Sequence, residues 1–130
     1  MSARVTLASG LTLNTAVDGD EGKPWIVLSN SLGANLSMWD PQIDVLTQTY
    51  RVLRYDTRGH GGSDAPAGPY SFDDLVGDVI GLMDAHDIAK AAFMGLSMGG
   101  MTGLGLALHH ADRISRVVCA DGRADAPEPF

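Results

Sequence analysis

The sequence predicts an α/β domain, with an antiparallel hairpin followed by a mostly parallel sheet carrying helices on both faces. Three observations carry this. From Trp25 onward, short apolar runs alternate with longer segments of helical periodicity. Parallel strands joined by helices are buried on both faces, so they read as continuous apolar runs. Before them, residues 4–18 alternate apolar and polar around Gly10, as a half-exposed hairpin does. Finally, glycines and polar residues gather directly after the third, fourth and fifth runs. Those loops open on one edge of such a sheet, where chemistry collects.

In the hairpin, Val5 and Leu7 face Leu11, Leu13 and Val17. "EGKP" is a turn, and Trp25–Asn30 is the third strand. Trp39, Ile43 and Leu46 recur at helical spacing, predicting a helix over 37–48. Pro41 falls in its first turn, where a missing N–H is tolerated. Tyr50–Asp56 is the fourth strand, followed by the loop "TRGHGGSDAPAGPY". Ser71 with Asp74 is a capping signal, and Asp73 and Asp74 suit a helix N-terminus. Phe72, Leu75, Val76, Val79, Leu82, Met83 and His86 then mark one helical face. "AKAAFMGL" is the fifth strand, and a helix over 98–110 should carry Met101, Leu104 and Leu108 inward. "RVVCAD" is the sixth strand.

A chain of 130 residues supports a single core. With 45% hydrophobic and 19% charged residues it belongs with folded rather than disordered chains. No apolar run approaches the roughly 18 residues of a membrane span. A formal charge of −7 and no basic run argue against nucleic acid as a partner. The lone Cys119 excludes an intrachain disulfide and fits a reducing compartment. With no apolar leader in "MSARVTLASG", the cytoplasm is the expected location.

The most informative stretch is "GLSMGG", Gly95–Gly100. Gly95-Leu96-Ser97-Met98-Gly99 fits G-x-S-x-G between a predicted strand and a predicted helix, the context of a nucleophile elbow. The serine sits in a strained turn, so the residues two before and two after it must be small. The following helix aims its unpaired N–H groups at developing negative charge. A phosphate-binding or purely structural glycine turn would share the glycines. The loop "SNSLGAN" follows the third strand. In this architecture it supplies one oxyanion donor, and the residue after the nucleophile supplies the other. Leu32 N–H and Met98 N–H are the candidates. An ordinary turn needing Gly33 at positive φ is the competing reading of that loop.

The segments "LSNSLGANLSMWDPQI", "YRVLRYDTRGHGGSDAPAGPYSFDDLVGDVIGLMD" and "FMGLSMGGMTGLGLALHHADRISRVV" resemble the α/β-hydrolase superfamily. Within it they most resemble the 3-oxoadipate enol-lactonases, which hydrolyse a lactone in the β-ketoadipate pathway of aromatic degradation. Relatives with "RGHG" and "GLSMGG" also hydrolyse simple esters or act as perhydrolases and haloperoxidases. Serine at the elbow separates the chain from the epoxide hydrolase and haloalkane dehalogenase branches, which place aspartate there. The resemblance implies that Ser97 is the nucleophile and that Leu32 and Met98 donate to the oxyanion, with no metal or organic cofactor. Asp56, Arg58, Gly59 and His60 match a D-x-R-G-H-G loop that the resemblance makes structural. The family keeps its catalytic base elsewhere.

The family's order is serine, acid, histidine, and the last two follow strands beyond the sixth. Residues 1–130 therefore read as the N-terminal portion of one α/β-hydrolase domain, without its cap and last strands. His109 and His110 lie about 18 Å from Ser97 along a helix rising 1.5 Å per residue, too far for a general base. They suit the helix C-terminus instead. His86 is a core or surface residue, and Cys119 packs in its strand. Asp121 follows the sixth strand at the active edge, and is either the triad acid or a turn-forming Asp-Gly. The sixth strand should be an exposed apolar edge. The expectation is that a second polypeptide completes the sheet and supplies acid and histidine, or that two copies associate there. A nicked or split hydrolase fits this, with "APEP" as an exposed cleavage region. The competing classes are a non-catalytic module binding a small ester or acid, and a structural fragment of an assembly.

Overall fold

Three βα crossovers set the architecture. In the computed structural model, which describes residues 2–121, strands β1 (Ser2–Thr6) and β2 (Thr12–Asp18) form the hairpin. Then follow β3 (Trp25–Ser29), a 3₁₀ turn (Leu36–Trp39) with helix α1 (Asp40–Leu46), and β4 (Arg51–Tyr55). Helix α2 (Phe72–Ala85), β5 (Ala91–Leu96), α3 (Met98–His109) and β6 (Ile114–Ala120) complete the order. The sheet runs β1-β2-β4-β3-β5-β6. β2 pairs antiparallel with both β1 and β4, and the remaining pairings are parallel. The hairpin, the mostly parallel sheet and the α/β class are as the sequence predicts.

The step from β3 to β4 runs in one direction along the sheet, and the steps to β5 and β6 run in the other. Because such crossovers are right-handed, the reversal puts α1 on one face and α2 and α3 on the opposite one. Two cores result. Ile26, Leu28, Val52 and Ala92 pack with Trp39, Ile43 and Leu46 on the α1 face. Val27, Leu53, Tyr55, Ala91 and Phe93 pack with Val76, Val79, Leu82, Met83 and Leu106 on the other. Successive strand residues alternate between these layers, which is why the strands read as unbroken apolar runs. The reversal also opens a crevice between the carboxyl ends of neighbouring β3 and β5, the place where ligands enter open α/β sheets.

Two details differ from expectation. The single helix over 37–48 is a 3₁₀ turn followed by α1, because Pro41 has no N–H and must lie in the first turn of any α-helix. The buried face of α3 is Gly99, Thr102, Gly103 and Leu106, while Leu108 is 79% exposed and Met101 and Leu104 are only partly buried. The helix lies so close to the sheet that a Cβ on Gly103 would stand 2.9–3.0 Å from the Phe93 ring and Val117. Small residues therefore take the inner face and bulky ones are displaced sideways. β6 ends the sheet, with Ser115, Arg116 and Val118 exposed. The "APEP" segment and the cap junction lie outside the described residues.

α2 begins at the predicted cap: Ser71 Oγ accepts from Asp74 N–H, and the Asp74 carboxylate accepts from Ser71 N–H. Its apolar face is interrupted by the buried Asp78, which receives Arg58 Nε and Nη2 at 2.7 Å each. Burial pushes the Asp78 carboxyl above its usual range, and the Arg58 hydrogen bonds oppose that shift. Arg58 thus pins the loop after β4 to a helix, and its guanidinium also lies 5.5 Å from the Tyr70 ring centre. Removing only one partner leaves a buried charge without its counter-ion. We expect Arg58→Met to lower unfolding free energy by about 3 kcal/mol, and Arg58→Met/Asp78→Leu to lose clearly less. Urea unfolding of both variants measures this, and equal losses would contradict it.

Candidate active site

Ser97 occupies the turn between β5 and α3 at φ 55°, ψ −111°. A non-glycine residue in such a conformation is strained and persists only where its surroundings enforce it. The enforcement is visible on both sides. Ser97 N–H donates to Ala120 C=O at 2.7 Å, tying the turn to the end of β6. Gly99 N–H donates to Asn30 C=O at 3.1 Å, tying the first turn of α3 to the end of β3. A Cβ on Gly95 would overlap the Gly99 carbonyl, and one on Gly99 would overlap the Ser29 carbonyl. The two glycines of G-x-S-x-G are thus required by backbone crossing backbone.

The loop after β3 meets the elbow at the crevice. Asn30 is completely buried and is bonded three ways. Its carbonyl takes Gly99 N–H, its Oδ1 takes Trp39 Nε1–H at 2.8 Å, and its Nδ2 donates to Tyr55 C=O at 2.9 Å. One residue therefore joins β3, β4, the 3₁₀ turn and α3. Farther along, Leu36 N–H donates to Asp56 Oδ1 at 2.7 Å and Leu36 C=O accepts from Arg54 Nη1 at 3.1 Å. Asp56 is buried, and its Oδ2 accepts from Gly62 N–H and Asn14 Nδ2. Asp56 and Arg54 so fix the exit of the loop, and Asn30 its entry.

Between those anchors, Leu32 N–H makes no hydrogen bond among the described residues, and nor does Met98 N–H at the start of α3. Met98 is buried, where an N–H is nearly always paired, while Leu32 is 66% exposed.

The histidines lie elsewhere. His60 Nε2 accepts from Gly33 N–H at 2.9 Å, and its Nδ1 lies 3.1 Å from Arg58 C=O. His86 closes α2, its Nδ1 2.9 Å from Leu82 C=O and its ring edge-on to Trp25. His109 and His110 sit at the far end of α3. None of the four hydrogen-bonds Ser97. Asp121 directly follows Ala120, the residue bonded to Ser97 N–H. It is exposed at φ 51° and makes no hydrogen bond or ion pair among the described residues. Cys119 is partly buried in β6, its Sγ close to the first turn of α3 at Gly100. Among the described residues no group of three His, Cys, Asp or Glu could hold a metal. Among the described residues no helix is long and apolar enough to cross a membrane. Sequence reasoning missed Asn30; its signal is a polar residue closing an otherwise apolar buried run.

The profile of the α/β hydrolase fold matches residues 24–130. The chain belongs to the α/β-hydrolase family. It is 47% identical over 121 residues to a 3-oxoadipate enol-lactonase of Acinetobacter baylyi, an alignment covering 93% of this chain and 45% of that protein. The crystal structure of the enol-lactonase from Burkholderia xenovorans superposes with TM-score 0.90 at 55% identity, covering 92% of this chain and 46% of that one. A hydrolase from Pseudomonas aeruginosa superposes with TM-score 0.93 at 45% identity, covering 97% and 48%. This α/β-hydrolase chain thus spans about half the length of the relatives it matches.

The strain at Ser97 and the crowding at Gly99 make opposite predictions. Ser97→Gly relieves the positive φ and should raise unfolding free energy by about 1 kcal/mol. Gly99→Ala forces β3 and α3 apart and should lower it by about 3 kcal/mol. Thermal and urea denaturation of the two variants distinguish them by sign.

Proposed function

We propose that this chain carries the nucleophile and the oxyanion donors of a serine hydrolase acting on a lactone or carboxylic ester. Ser97 Oγ attacks the carbonyl carbon. The developing oxyanion accepts from Leu32 N–H and Met98 N–H, each donor contributing about 3 kcal/mol of barrier lowering. A histidine takes the serine proton and returns it to the leaving oxygen, and a carboxylate orients that histidine. Water activated by the same histidine then releases the acyl-enzyme. The supporting observation is the strained Ser97 turn, with two unpaired N–H groups on loops joined by the Gly99–Asn30 bond. The names of relatives it matches, 3-oxoadipate enol-lactonase and enol-lactonase, favour an enol-lactone as substrate.

The histidine comes from polypeptide that pairs along the open side of β6, whether a further segment or a second chain. Two features support this. Among the described residues β6 is the outermost strand, and none of the four histidines hydrogen-bonds the serine. Asp121 follows Ala120, which accepts from Ser97 N–H, and we propose it as the carboxylate, a turn-forming Asp-Gly being the other reading.

The test is covalent. The complete enzyme, incubated with a fluorophosphonate, should gain one adduct, localised to Ser97 by peptide mass spectrometry. Ser97→Ala should gain none and should lose about 10⁴-fold or more in kcat/KM on the best substrate of a lactone and ester panel. An unmodified wild type with no esterase or lactonase activity would instead support a hydrolase-like binding module.

A further inference from the structure

His60 already has both ring nitrogens committed, and what it holds is the turn that presents Leu32. A backbone carbonyl can only accept, so Nδ1 must carry the proton toward Arg58 C=O. A backbone N–H can only donate, so Nε2 must offer its lone pair to Gly33 N–H at 2.9 Å. The neutral ring protonated on Nδ1 satisfies both neighbours at once, and it has no lone pair left for Ser97.

Residues 31–34 form a four-residue turn closed by Ala34 N–H to Ser31 C=O at 3.2 Å. Gly33 has φ +80° and Leu32 is not at positive φ, which is the type II form. Types I and II differ by a flip of the central peptide, here Leu32 C=O with Gly33 N–H. In the observed form Gly33 N–H faces His60 Nε2. In the flipped form the Leu32 carbonyl would face it, lone pair against lone pair. Glycine at the third position suits this form, and packing holds the tip little: a Cβ on Gly33 would meet nothing within 4 Å, and Leu32 is 66% exposed. The histidine, by contrast, stands on a stiff loop. His60 N–H donates to Thr57 C=O, Ser63 N–H to His60 C=O, and Gly59 N–H to Asp64 C=O, at 2.9–3.1 Å.

We infer that His60 is a positioning residue for the oxyanion site: its Nε2 holds Gly33 N–H and so anchors the tip of the turn whose Leu32 N–H meets the reacting carbonyl oxygen. The Leu32 N–H shares its peptide with the Ser31 carbonyl. In a trans peptide that carbonyl, held by Ala34, points the N–H out of the turn. His60 holds the next peptide through Gly33 N–H, and with it the place of the whole turn. The inference rests on the hydrolase reading of Ser97 and Leu32, and adds to it a residue that never touches substrate.

Two variants and two measurements test it. His60→Ala removes the acceptor; His60→Gln can return one, its Oε1 facing Gly33 N–H. In the complete enzyme, His60→Ala should lower kcat about tenfold, less than outright loss of an oxyanion donor, with KM changed less than about twofold. His60→Gln should recover most of the kcat. In ¹⁵N–¹H spectra, the Gly33 amide proton should move upfield in His60→Ala and stay near its wild-type position in His60→Gln. Equal kcat in wild type and His60→Ala, equal loss in both variants, a change confined to KM, or a Gly33 amide indifferent to His60→Ala would each overturn the inference. A wild type unreactive toward fluorophosphonate would overturn the hydrolase reading instead, and the Gly33 resonance would still decide whether His60 holds the turn.

Discussion

The hydrogen bond from Gly99 N–H to Asn30 C=O is the constraint on which the site depends. It requires the first turn of α3 to touch the end of β3, and no side chain fits between them. Gly99 abuts the Ser29 carbonyl, Gly95 abuts Gly99, and Gly100 abuts Cys119 of β6. The chain must then pass from strand to helix in a single residue, and that residue, Ser97, takes the strain. Strain and glycines are two consequences of one close approach. The inner face of α3 follows too, since a helix that starts in contact with the sheet must stay thin along it.

The loops at the crevice are held by buried polar groups rather than by apolar packing. Asn30, Arg54 and Asp56 are each buried, and each bonds backbone of a neighbouring loop or strand. Buried polar groups of this kind are costly if unpaired, so the bonds they make favour one arrangement of the loops. That suits a site whose donors are backbone amides. A backbone donor has no rotamer to adjust, and its direction is fixed only by the loop around it. Leu32 is exposed and Gly33 has no side chain, and the side-chain hydrogen bond at the tip of the turn is that of His60 to Gly33 N–H.

The arrangement separates two tasks. In the proposed hydrolase, orientation and charge stabilisation belong to the loops after β3 and β5, at the crevice where the chain reverses its direction across the sheet. Proton transfer belongs to another group in that proposal, since His60 spends its lone pair on Gly33 and the other three histidines lie at helix ends. The electrostatic half of such a site can therefore be built before any base is in place.

Much of this was legible from the residues alone. The hairpin, the strands from Trp25 onward and α2 with its Ser71–Asp74 cap follow from local periodicity and capping chemistry, which act over a few residues. The elbow was legible because close backbone approach demands glycine at fixed spacing around Ser97. What the sequence could not decide was anything set by distant partners. Asn30 as a three-way anchor, Asp78 as the counter-ion of Arg58, and His60 as the acceptor for Gly33 depend on segments 9 to 69 residues away being folded together. The inner face of α3 was misjudged for the same reason. Hydrophobic spacing says which residues would prefer to be buried, but the distance between helix and sheet, fixed by the crossing at Gly95 and Gly99, decides which of them fit.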